Sequence, residues 1–272
     1  MSQGQSKPIQ IDGQPYLVGE SARKHASPLW SRDKATDPDT LRLILVAAAQ
    51  LGANGPVALA TGLPLSWYGS QRRAFRDALT GYGGQVQLPN QPAQRLWFES
   101  AIILPQGLAA AVPVLAGADQ DPGAYLIADV GYRTTDYLIA EKAPDGQIRY
   151  DADMAGSLPT GTGAIAKTVV DAINQQYQVE YTTAEIEDRT NIVVRGQHID
   201  LTQRRHEAQR AIGQQIVRAL AVAAGSELDK LLGIVAVGGG STLITQTMPG
   251  SLASADPQWA NVQGYWQAVN AS

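Results

Sequence analysis

A chain of 272 residues, 44% hydrophobic and 17% charged, is long enough for one large or two modest globular domains. Its net charge of -4 and sequence pI of about 5.4 argue against direct binding to a nucleic-acid backbone, which needs clustered Lys and Arg. With no cysteine there is no disulfide, thiolate zinc site or cysteine nucleophile, and with only His25, His198 and His206 no His-rich metal site is expected.

The opening MSQGQSKPIQ lacks the apolar core of a signal peptide. The longest apolar runs, such as residues 41–51, are too short and interrupted to span a bilayer. The expectation is a cytoplasmic protein with no membrane partner. Arg72-Arg73 and Arg204-Arg205 fall on predicted helices and read as solvated faces.

In chain order, residues 1–8 are polar and read as a frayed end. Ile9-Gln10-Ile11, Asp12-Gly13 and residues 14–18 predict a hairpin with a type I′ turn. Asp37-Pro38 opens a helix to about Leu51, stopped by Gly52. Residues 57–61 read as a short buried strand. Ser66 reads as the cap of a helix to about Leu79, ended by Gly81. Residues 86–88 and 96–104 are predicted strands, and Pro105 starts an Ala-rich helix to about Leu115.

The second half repeats the alternation. Residues 125–130 and 135–140 are strands joined by a tight polar turn, 147–154 is another strand, and 162–177 a helix. Residues 182–188 predict a short helix capped by Thr182 or Thr183. Residues 192–194 and 198–201 form a small hairpin around Arg195-Gly196. A long helix from about Gln203 to Ala224 carries Ile212, Ile216 and Leu220 four apart on one face. Residues 234–237 are a buried strand followed by a glycine run. Strands alternating with helices predict an α/β protein with packed layers.

Four segments carry the candidate chemistry. In AYLIADVGYRTTDYLIA (124–140) an apolar strand ends in Asp129, turns through Gly131 and returns through Thr134, Thr135 and Asp136. A carboxylate at the end of a buried strand is costly unless it is paired or faces a cation. Asp129 suits a hydrated Mg²⁺, and the turn's amides and hydroxyls suit phosphate oxygens; the same turn also reads as a plain polar hairpin. In LLGIVAVGGGSTLI (231–244) a strand runs into Gly238, Gly239 and Gly240, and Ser241 starts a helix. The glycines admit a flat ligand against backbone, or mark a connection with unusual dihedrals. No Lys follows, so this is not a Walker A loop. Gly161-Thr162-Gly163 precedes a helix and reads as a phosphate or ribose contact or as a flexible helix entry. Gln106, in the first turn of the helix after Pro105, is placed to orient an attacking water or is merely a polar helix start.

Taken in order, these segments resemble the actin superfamily, which also holds the heat-shock ATPases and hexokinase, and within it the ParM/StbA group of bacterial actins. IADVGYRTTD resembles the second phosphate loop, VAVGGGSTLI the adenosine loop, and residues 156–171 the segment before the interdomain helix. IDGQPYLVGESA resembles the early Asp-Gly-x-x-Tyr-x-Val-Gly hairpin. Trp259-Ala260-Asn261-Val262-Gln263-Gly264-Tyr265 resembles the C-terminal Asn-x-x-Gly-aromatic element. The resemblance implies an actin-like (ribonuclease H-like) two-lobed fold, with residues 1–122 as the first lobe and 123–272 as the second.

It implies ATP or GTP with Mg²⁺ in the cleft, Gln106 aligning water and Asp129 serving the metal. Gly131, Thr134, Thr135, Gly161, Gly163, Gly238, Gly239, Gly240 and Ser241 would contact the nucleotide, and Glu185 and Arg189, four apart on one predicted helix, the base. It further implies self-association into filaments, plasmid partition, and DNA reached only through an adaptor protein.

The family's first phosphate loop, Asp-x-Gly-x-x-(Asn/Thr)-x-Lys, does not occur before Ile9. The expectation is a first lobe incomplete at its N-terminus, through a truncated start, a true short form, or completion by a partner strand. Hydrolysis by this chain hangs on that loop. The rival readings are a non-catalytic scaffold and a small-molecule kinase of the same superfamily, for which no added Asp base is evident.

Overall fold

The computed structural model describes residues 7–19, 22, 33–117 and 119–270. Residues 1–6 of the polar start, Glu20-Ser21 of the early hairpin motif and His25 lie outside the described residues. The chain clusters into two compact units, one formed by residues up to Leu63 with Trp67–Leu104, the other by Pro64–Ser66 with residues from Pro105 onward. Residues 105–122, read in the sequence with the first lobe, cluster with the second unit.

The first unit contains β1 (Ile9–Ile11), β2 (Gln14–Tyr16), α1 (Pro38–Gln50), β3 (Gly55–Leu63), α2 (Leu65–Leu79), β4 (Gly83–Gln87) and β5 (Gln94–Pro105), with strand order β2-β1-β4-β5-β3. Asp12 (φ 49°) and Gly13 (φ 80°) make the expected left-handed turn between β1 and β2. The Asp12 carboxylate also accepts the Gln85 N–H at 2.8 Å, tying the turn to β4. Asp37 caps α1 by accepting the Thr40 N–H at 3.2 Å, and Gly52 (φ 84°) follows its end. The core gathers Leu45, Phe75, Leu79, Val86, Leu96 and Phe98.

Two local expectations fail here. The strand read at 57–61 is nine residues long, and of these only Leu63 is buried. Helix α2 begins at Leu65, so Ser66 lies in its first turn and does not cap it. Arg72 and Arg73 lie on α2 as read; Arg72 sits 5.3 Å above the Tyr68 ring in a groove shared with Arg73, Arg76 and residues 101–103.

The second unit continues with α3 (Leu108–Leu115), β6 (Gly123–Val130), β7 (Thr135–Lys142), β8 (Ile148–Leu158), α4 (Gly163–Tyr177), α5 (Thr183–Ile186), β9 (Asn191–Val194), β10 (Gln197–Asp200), α6 (Thr202–Ala224), β11 (Gly233–Val237), α7 (Thr242–Thr247), β12 (Leu252–Ala253) and α8 (Ala260–Asn270). The sheet runs β12-β11-β6-β7-β8, with β11 parallel to β6 and β12 and β7 antiparallel to β6 and β8.

Both faces of this sheet are covered, which is why β6 and β11 read as near-continuous apolar runs. Leu126, Ala128 and Val130 of β6 join Ile234 and Ala236 of β11 under α4 and α6, where Ile173, Ile216 and Leu220 pack. Tyr125 and Ile127 join Val235 and Val237 on the other face, against Ala110, Ala111 and Leu115 of α3 and Ala260 of α8. Each fully buried Leu or Ile is worth roughly 1.5–3 kcal/mol over its exposed state. The same alternation puts Asp129 on the α3–α8 face, because its neighbours Ala128 and Val130 point to the other.

Candidate functional site

The site is built at the end of β6. Asp129 lies in register with Val237 on one side and Asp136 on the other. Its Oδ2 accepts a hydrogen bond from Asn261 Nδ2 of α8 at 2.9 Å, and Asn261 Oδ1 accepts the Gly107 N–H at 2.9 Å. Burial is the main cause of a raised Asp129 pKa; the Asn261 bond lowers it and the Asp136 charge raises it. Asp136 is raised by burial too, offset by a Ser157 hydrogen bond. The result is a pair of half-enclosed carboxylates on one sheet face, held by neutral donors.

Three loops close around this carboxylate. The β6–β7 turn is pinned by Gly131 N–H to the Thr134 carbonyl at 2.9 Å. The β8–α4 loop docks on it, with the Thr162 N–H on the Gly131 carbonyl at 3.0 Å and the Gly163 N–H on the Tyr132 carbonyl at 2.8 Å. The β11–α7 loop docks from the other side through the Gly240 N–H to the Val130 carbonyl at 2.9 Å.

This packing gives the glycines individual reasons. A side chain on Gly238 would collide with the Asp129 carboxylate and Val130, one on Gly240 with Thr162 and Val130, and one on Gly161 with the Gly131–Tyr132 backbone. Gly163 faces the Tyr132 ring. Gly239 is different: a Cβ there would meet only Gln258, at 4.0 Å, so this stretch of backbone is open to a ligand. The Thr135 hydroxyl is buried and donates to the Thr160 carbonyl at 2.8 Å, which makes it a brace of the loop; Thr134 is exposed at the turn. Ser241 is buried and opens α7.

Gln106 is not in a helical first turn. Pro105 closes β5, and Gly107, with φ at 76°, turns the chain into α3 at Leu108. The turn sits against the site: a Cβ on Gly107 would lie 3.5 Å from that of Asp129. Glu185 and Arg189 do not share a helical face, because α5 ends at Ile186. Glu185 accepts the Thr182 N–H at 2.8 Å and the Thr182 hydroxyl at 2.7 Å, confirming Thr182 as the cap, and these bonds with the Arg189 charge hold its pKa low. The Arg189 carbonyl is bound by Arg205 at 2.8 Å. The expected 156–171 segment is split: Gly156 belongs to β8 and α4 begins at Gly163.

Asn261 and Tyr265 of α8 join the site without belonging to any of the four loop segments. Their signal was the 261, 264, 265 spacing, which puts one face of α8 on the junction. Tyr265 is 8% exposed, beside Gln106 and under the influence of Asp129; burial above all pushes its phenol well above the ordinary value, and the Asp129 charge adds to that. The Gln106 side chain partly offsets it by proximity, yet no aligned hydrogen bond reaches the hydroxyl.

The arrangement fits a hydrated divalent ion better than a fully protein-ligated one. Among the described residues no cluster of three or more His, Cys, Asp or Glu is placed for a metal, whereas Mg²⁺ typically uses one or two carboxylates and keeps its waters.

The second unit is thus a sheet covered by helices on both faces, with glycine-containing loops beside a strand-end carboxylate. Residues 1–108 match the family of actin-like proteins, N-terminal domain, and residues 127–250 match that of the archaeal actin homologue MreB-like, C-terminal. An archaeal actin homolog of Thermoplasma acidophilum is 24% identical over 232 residues, covering 81% of this chain and 70% of that protein. The structure of an archaeal actin homolog in complex with ADP superposes with TM-score 0.79 at 22% identity, over 98% of this chain and 92% of that one. A 15-stranded ParM filament from Clostridium botulinum gives TM-score 0.78 at 20% identity, over 98% and 86%. The chain is a member of the actin-like superfamily, with the ParM-like two-sheet fold expected from its sequence. No described helix is long and apolar enough to cross a membrane.

Proposed function

We propose that the chain binds ATP or GTP with Mg²⁺ at the loops around Asp129, hydrolyses it where a first phosphate loop is supplied, and self-associates into filaments of the DNA-segregation type. The observation that carries this is the half-enclosed Asp129 carboxylate, against which Gly107 and Gly238 pack, with the 159–163 loop docked on the 130–134 turn beside it. Burying that carboxylate against neutral partners is costly, and a cation at the same place would recover the cost.

When bound, Mg²⁺ supplies charge neutralisation at the transferring phosphoryl group. Asp129 and Asp136 are the carboxylates that would hold it. Gln106, in the turn beside Asp129, orients the attacking water. The Thr134 hydroxyl donates to phosphate, and the open backbone at Gly239 takes the flat face of the nucleoside. Glu185 and Arg189 would contact the base. The solved ADP complex of an archaeal actin homolog and the ParM filament support the nucleotide and self-association parts of this reading. The net charge of -4 agrees with DNA being reached through an adaptor.

The test is Mg²⁺-dependent turnover and nucleotide-dependent pelleting of the full chain. Asp129→Ala should abolish turnover, a loss of about 1000-fold or more; full activity in that variant refutes the site. Pelleting that ignores nucleotide favours a scaffold, and turnover that needs a soluble acceptor favours a kinase.

A further inference from the structure

Helix α8 grips both halves of the Asp129 junction with one side chain. Asn261 accepts from Gly107 N–H and donates to Asp129 Oδ2, each at 2.9 Å. Its primary amide offers a donor and an acceptor on separate atoms, one for each side of the junction. A carboxylate has no donor, an ammonium has no acceptor, and glutamine is a methylene too long. The amide's orientation is set by its partners, since an N–H needs an acceptor and a carboxylate needs a donor.

The grip is rigid. Gly264 lies against the Ala109 carbonyl so closely that α8 and α3 touch backbone to backbone there. Tyr265, four residues from Asn261, points its hydroxyl into the junction beside Gln106. That hydroxyl has no hydrogen-bond partner among the described residues and its residue is 8% exposed. A buried hydroxyl without a partner weakens the fold. The apolar isostere phenylalanine would fill the same volume without that cost, so the hydroxyl is placed to engage the neighbouring Gln106 side chain once a ligand brings the two into line.

We propose that Asn261 and Tyr265 are positioning residues of the nucleotide site. Asn261 fixes the separation between the Gln106-Gly107 turn and the Asp129 carboxylate, and the Tyr265 hydroxyl orients the Gln106 amide once a water and nucleotide are in place. The inference rests on the nucleotide reading above and assigns the C-terminal helix a part in it.

The test uses the full chain with two variants, fluorescent ATP as probe, and three readouts: melting without nucleotide, the Mg²⁺ concentration that half-saturates ATP binding, and kcat. Tyr265→Phe should melt at the same temperature or higher while kcat falls about 10-fold. Asn261→Ala should raise the half-saturating Mg²⁺ and lower kcat about 100-fold, with Mg²⁺-free nucleotide affinity unchanged. A clasp that is only structural would lower melting and leave the Mg²⁺ midpoint alone. If Asn261→Ala does not fold, Tyr265→Phe decides. Unchanged kcat in Tyr265→Phe, or an unmoved Mg²⁺ midpoint in folded Asn261→Ala, overturns the inference. Failure of the wild-type chain itself to bind ATP with Mg²⁺ overturns the nucleotide reading first, and is seen before any variant is made.

Discussion

Two carboxylates of the second unit, Asp129 and Glu185, are treated in opposite ways. Asp129 is enclosed at a strand end, receives one amide hydrogen bond, and has its pKa pushed up by burial. Glu185 is in water at the start of a helical turn, receives a backbone and a hydroxyl hydrogen bond from Thr182, and has its pKa pulled down by them. Glu185 is explained by the fold it caps. Asp129 is held where burial disfavours its charge, which is the ground on which the proposed nucleotide site rests.

The comparison predicts opposite pH slopes. The folded chain keeps the Asp129 proton to higher pH than the unfolded chain, so its stability contribution declines as pH rises from the ordinary 3.8 through the raised value. The Glu185 contribution is complete above the ordinary 4.5 and is lost as pH falls through the lowered value.

The largest stability effect should come from the clamp that places Asp129. Gly264→Ala drives a methyl into the Ala109 carbonyl and should destabilise by about 3 kcal/mol, read by denaturant unfolding; a neutral result would mean that α8 is not seated on α3. Asp129→Asn should raise the melting temperature at neutral pH, with the gain shrinking towards pH 4, because asparagine still accepts from Asn261 without burying a charge. A lowered melting temperature at pH 7 would break the contrast with Glu185. Glu185→Ala should be the smallest, a loss of about 1–2 °C at pH 7 that vanishes in acid.

Much of the fold was legible because its causes are local. Asp12-Gly13 declares its turn by two residues that accept positive φ, and Gly196 (φ 81°) does so for the turn it shares with Arg195. Asp37-Pro38 declares a helix start, and the apolar runs of β6 and β11 declare a sheet covered on both faces. The same local logic misplaced Gln106, because Pro105 reads as a helix opener yet is taken up as the last residue of a long strand. It also ran α5 on to Asp188, where a capping box supports only the turn to Ile186.

At the site, the segments were legible and their reasons were not. The glycines at 161, 238 and 240 looked like ligand contacts. They are glycine because other loops press on them, and only Gly239 leaves backbone open. The Asn261–Asp129 bond joins residues 132 positions apart, which no periodicity encodes.

The most direct test of the account is a titration of fluorescent ATP into the full chain, with and without Mg²⁺, for wild type and Asp129→Asn. The account predicts binding that Mg²⁺ tightens in the wild type and does not tighten in a folded Asp129→Asn. Equal Mg²⁺ tightening in both proteins, or no binding in the wild type, would contradict it.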